Sequence, residues 1–188
     1  MRAAIFLCVC AILAALHYVH SRRKEKRHDA CFSFDLSPAA ERFRQRSGYN
    51  EADARLVEIE FRRFFWLMAL HPERRWGLHN GAIDDFWHEL ICCTALYEAF
   101  CQEVAGRFIH HDPAGGGGQA YAHTWWAYRK EFGEEPDLAW WPPAPEGCTR
   151  PNSGDGGCGG GSCGGGDGGG GCCGSGGCGG GGGCGGGH

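Results

Sequence analysis

"DDFWHELICCTALYEAFCQEVAGRFIHHDP", residues 84 to 113, decides the fold class. Ile83 just before it, then Trp87, Leu90, Ile91, Thr94, Tyr97, Cys101 and Val104, recur at helical intervals, so they share one wide face, and Gly106 marks the stop. The pattern predicts one long helix, followed by a loop, "HHDPAGGGG", in which Pro113 and four glycines favour neither helix nor strand.

Helices are also predicted on either side. From Asn50 to about Leu70, Val57, Phe61, Phe64 and Met68 form an apolar stripe that Leu56 and Trp66 or Leu67 widen, and Pro72 ends it. Before it, "PAAERFRQR" reads as a short helix that Ser37 caps through its hydroxyl, Pro38 pre-sets and Gly48 stops. After the glycine loop, "QAYAHTWWAYRKEF" places Tyr121, Thr124 or Trp125, Tyr128 and Phe132 at helical spacing, with Gly133 as terminator. "DLAWWPPAP" is expected to wrap back as an extended, proline-stiffened segment. The fold class is all-α: an N-terminal transmembrane helix, then a small bundle of about four helices, then a disordered Gly/Cys-rich tail.

Residues 3 to 19, "AAIFLCVCAILAALHYV", are apolar until His17 and Tyr18 and would span about 25 Å as a helix, enough for a thin bilayer. A cleaved signal peptide has the same profile, but "VHS" before Arg22 lacks the small-x-small residues of a cleavage site, so an uncleaved anchor is expected. "RRKEKR", Arg22 to Arg27, is far more positive than the Met1-Arg2 side, which predicts a single-pass protein with its domain in the cytoplasm. The same cluster suits anionic lipid heads. A net charge of −4 and the lack of any other basic face argue against a nucleic-acid partner. The expected division is residues 1–20 as anchor, 21–36 as a basic juxtamembrane linker, 37–147 as the helical domain and 148–188 as disordered tail. The tail cysteines, Cys148 to Cys184, include no C-x-x-C pair, so zinc-finger spacing is absent. Thirteen cysteines would suit an oxidising compartment; the charge asymmetry is given the greater weight.

"EFRRFFWLMALHP", "DDFWHELICCTALYEAFC", "GRFIHHDP" and "TWWAYRKEFGEEP" with "WWPP" together resemble the core of the glycine-rich domain-containing protein-like family, including bacterial members that end in Gly-Cys tails. The likeness covers approximately residues 55 to 143. It rests most on Asp84, Trp87 and His88, on Thr94, Tyr97, Phe100 and Cys101, and on Gly106 to His111. It implies a helical domain and no particular reaction, substrate or cofactor. Many members carry a second histidine two residues after the first, where this chain has Leu90.

Two readings of function follow. In the first, the anchored bundle is a scaffold that binds a protein partner. In the second, His88, His110 and His111 hold zinc or another divalent metal, with Asp84 behind them as orienting carboxylate, and the site is hydrolase-like. Asp84, His88 and Cys92 stack along one stripe of their helix, and a carboxylate one turn before an imidazole fixes its tautomer. Three imidazoles around zinc leave one position for an activated water. The plainer reading makes Trp87, Thr94, Tyr97, Phe100 and Cys101 core or motif positions, Gly106 a helix stop, and the paired histidines loop supports. "WHELICCT" departs from H-E-x-x-H, since Cys92 stands where the second histidine belongs.

Overall fold

The computed structural model describes residues 2–79, 81–112 and 118–143, with side chains from Ile5 onward. The tail expected to be disordered, residues 148–188, lies outside them. Among the described residues every regular element is a helix, and there are six where about four and an anchor were expected.

α1 runs unbroken from Arg2 to Ser33. Residues 21–36, expected as a linker, are therefore helical through Ser33. Arg, Lys and Glu are good helix formers, and no Gly or Pro interrupts the chain before Pro38. The two parts of α1 differ in surroundings. Ile5 to Val19 leave their large apolar side chains in the open, whereas Lys24, Arg27, His28 and Cys31, at three- and four-residue spacing, face the rest of the domain. Arg27 donates to the carbonyl oxygens of Val104 at 2.6 Å and Ala69 at 3.0 Å, and Lys24 pairs with Glu131 at 2.9 Å. One helix, from Ile5 to Ser33, is long and apolar enough to cross a membrane, a test that a signal sequence also meets.

α2, Ser37–Ser47, has Pro38 in its first turn and ends on Gly48, whose φ of 73° is the left-handed conformation that glycine adopts freely. The capping expected of Ser37 is not what occurs. Leu36 is the N-cap, and the Asp35 carboxylate accepts both the Ser37 N–H and its hydroxyl, as an Asx turn does. α2 packs on the core through Ala39 and Phe43.

α3, Glu51–Leu70, starts where Asn50 accepts the Asp53 N–H at 2.9 Å. It is the central element. Phe61, Phe64, Phe65, Trp66, Leu67, Met68 and Ala69 are all buried, because α1, α4, α5 and α6 surround its second half.

The helix expected from Ile83 to Val104 is two helices, α4 (Gly81–Cys92) and α5 (Thr94–Ala105), broken at Cys93. There the Cys93 N–H reaches back only to Leu90, at 3.0 Å. A continuous helix would put Trp87 and Tyr97 about 15 Å apart along its axis. With the bend, Trp87 Nε1–H donates to the Tyr97 hydroxyl at 3.0 Å. The apolar period survives the break, which explains why it left no mark in the pattern.

α6, Gly118–Phe132, is closed by Gly133 at φ 71°. Gly77 runs against its backbone so closely that a Cβ would meet Tyr121 N at 2.5 Å. Beyond α6 the chain does not stay extended. Asp137 O accepts the N–H groups of Trp140 and Trp141, and this turn drives Trp141 into the core, where it stacks on Tyr121 and donates to Glu60 Oε2 at 2.7 Å.

Candidate metal centre

Asp84 and His88 lie one turn apart on α4, a spacing that brings helical side chains together. The third member arrives from elsewhere. After Gly106 reverses the chain at φ 67°, Ile109 is buried and its carbonyl accepts the Tyr97 hydroxyl, which itself accepts Trp87 Nε1–H. This relay pins the segment over α4 beside the indole of Trp87. Two residues on, His111 stands edge-on to Trp87 at 4.5 Å, with its ring 4.6 Å from that of His88.

His111 Nε2–H donates to Asp84 Oδ1 at 2.8 Å, and His88 Nδ1 lies 3.5 Å from Asp84 Oδ2. Each carboxylate oxygen thus faces one imidazole. One donor atom from each of Asp84, His88 and His111 lies within 4.8 Å of the other two. The side chains of His88 and Asp84 are 50% and 37% exposed and that of His111 only 11%, so the group is open on the α4 side and backed by Trp87.

Ligand atoms of a tetrahedral ion with bonds of about 2.0–2.2 Å sit about 3.4 Å apart. The three side chains could reach that arrangement by opening the His111–Asp84 hydrogen bond by about half an ångström and rotating His88 inward. Two imidazoles and a carboxylate form a donor set of borderline softness, fitting zinc, iron(II) or a neighbouring divalent ion.

The structure brings together His88, His111 and Asp84, and not His110. His110 is exposed, with its ring 4.9 Å from Phe108. Asp84, expected behind the ligands, offers a carboxylate oxygen within the same 4.8 Å as the ring nitrogens of His88 and His111. The signal that separates the paired histidines is local: Ile109 points in, His110 out, His111 in, the two-residue alternation of non-helical chain.

None of the other singled-out residues belongs to the donor set. Trp87, Tyr97, Phe100 and Cys101 are buried, Gly106 terminates α5, and Thr94 is exposed as its first residue. Burial pushes the Cys101 thiol up, away from the thiolate a nucleophile needs. One group escaped the sequence reading altogether. Glu60, on the buried side of α3, accepts hydrogen bonds from Tyr128 at 3.0 Å and Trp141 at 2.7 Å and pairs with Arg63 at 3.2 Å. Burial holds its carboxyl above the ordinary range, against the pull of those donors. Its only mark in the sequence is a carboxylate beside the apolar stripe of Val57, Phe61 and Phe64.

Fold and site define a small helical domain with an apolar N-terminal helix and a two-histidine, one-carboxylate cluster. The chain belongs to the UCP032817-like family, whose model matches residues 26–123. This corrects the likeness to glycine-rich domain-containing proteins, which nothing in the comparison supports. The match begins within α1, at the basic turns that pack on the domain, takes in all three cluster residues, and leaves the apolar segment outside. No curated protein and no solved structure matches the chain.

Proposed function

We propose that this protein is a membrane-tethered helical binding module whose ligand is a divalent metal ion held by Asp84, His88 and His111. The observation that carries the proposal is the convergence of three donor atoms from two separate segments, within 4.8 Å of one another, over a wall formed by Trp87. Three protein ligands leave positions open to water or a second ligand. Protons compete for the imidazoles, so affinity falls as pH falls. The tether is α1, crossing a bilayer once with the domain on the cytoplasmic side. Its support is the open apolar surface of Ile5 to Val19, the weak cleavage sequence before Arg22, and the positive charge that follows. This reading keeps the metal of the hydrolase-like alternative, with Asp84 in place of His110, and includes neither its reaction nor the protein partner of the scaffold reading.

The test is equilibrium dialysis of the reduced, detergent-solubilised full chain against zinc, with metal counted by mass spectrometry. The chain carries thirteen cysteines, and thiols are zinc ligands in general, so the informative quantity is the difference between variants. His88→Ala and His111→Ala should each lose one equivalent, or bind it more than about tenfold more weakly, whereas His110→Ala should match the parent. Equal stoichiometry and affinity in all four chains would refute the site.

A further inference from the structure

The end of the domain from which α1 emerges carries more positive charge than the juxtamembrane run alone. Contacts along α1 set it antiparallel to α3: Cys31 lies against Arg62, His28 against Trp66 and Arg27 against Ala69. The same holds for α5, with Phe34 against Phe100 and Arg27 against Val104 and Ala105. Moving back along α1 toward its apolar part therefore means moving forward along α3 and α5, to their carboxyl ends. The Arg27 guanidinium closes both ends at once, which offsets the negative poles of two helix dipoles.

Arg22 is the first charged residue after the apolar run, and from it to Arg27 α1 rises about 8 Å. The headgroup layer on one side of a bilayer is about 5–8 Å deep. An α1 that crosses a bilayer thus holds the ends of α3 and α5 at headgroup level. Arg23 and Lys26 on α1, Arg75 in the turn after α3, and Lys130 in the last turn of α6 beside the Lys24–Glu131 pair all belong to this end. All four are exposed, and they pair with no carboxylate among the described residues. Their neighbours Arg22, Lys24 and Arg74 are matched by Glu25, Glu131 and Glu73.

The geometry points to this end as a docking surface for anionic phospholipid headgroups, pressed against the leaflet from which α1 emerges. The inference rests on α1 crossing a bilayer. It adds that Arg75 and Lys130, far from the juxtamembrane run in sequence, contact the same leaflet, so the domain is held in one orientation and does not swing on its tether. Continuity of α1 into the core supplies the rigidity, and the unpaired cations supply the attraction. Each cation near an anionic leaflet strengthens the contact about fivefold.

The experiment is amide hydrogen exchange on the full chain in nanodiscs of phosphatidylcholine alone or with phosphatidylserine added. Exchange in peptides covering residues 71–79 and 127–133 should be about fivefold slower or more in the anionic discs, while α2 exchanges equally in both. The doubly substituted chain Arg75→Glu, Lys130→Glu should remain in the disc and lose the difference; Arg75→Gln, Lys130→Gln serves if charge reversal disturbs folding. Equal exchange in the two bilayers, or a difference that survives both variants, overturns the docking surface while leaving the tether intact. A chain that fails to co-purify with discs of either kind overturns the tether, and the docking surface with it.

Discussion

Glu60 is a carboxylate where packing would favour an apolar side chain, and it persists because three donors converge on it. Its folded pKa is raised, chiefly by burial, so between the ordinary carboxylate range and that raised value the native state holds a proton that the unfolded chain has released. The contribution of Glu60 to stability is therefore full below the unfolded pKa and declines as pH rises through the folded one. Glu131, whose carboxyl is held low by Lys24 and the Trp66 N–H against the opposing effect of burial, has the reverse sign: its stabilisation is lost as pH falls. The quantity to read is thus the difference in stability between the parent and Glu60→Gln, measured by urea midpoints in detergent at several pH values. That difference should fall from about pH 4.5 upward and level off once the pH has passed the raised folded value. A difference that stays flat or rises would show that desolvation does not govern this carboxyl.

At the scale of elements, the bend at Cys93 does most to make the site. It folds α5 back so that Tyr97 bridges Trp87 and the Ile109 carbonyl, and the bridge sets where His111 comes down on α4. Tyr97→Phe leaves a buried indole N–H and a buried carbonyl without their partner, at a cost of about 2–3 kcal/mol. It should also weaken metal binding severalfold with every ligand still present. Unchanged affinity alongside lowered stability would mean that the relay supports the core alone. α2, α3 and α6 were legible in the sequence because residues with strong local preferences bound them: Pro38, Asn50, Pro72, and the glycines at 48 and 133. The bend was not, since Leu90, Thr94, Tyr97 and Cys101 keep helical spacing across it. Nor was the second half of α1. Its charged residues read as a basic juxtamembrane linker, and only the fold reveals that Arg27 lies across the ends of two helices.

For the molecule as a whole, α1 is at once the membrane-competent segment and a packed element of the domain, so whatever fixes the helix fixes the domain. Single-sequence patterns reveal an apolar segment and an all-helical class readily, because both are local. The meeting of His111 with Asp84 is a contact between distant parts of the chain, and the sequence could only nominate the histidines. The central claim is that those residues ligate a metal. X-ray absorption on the full chain carrying one equivalent of zinc tests it most directly. The account predicts two imidazole nitrogens and carboxylate or water oxygens at about 2.0–2.2 Å, with imidazole scattering that declines in His111→Ala. A shell dominated by sulfur at about 2.3 Å, unchanged by that substitution, would assign the metal to the cysteines and contradict the account.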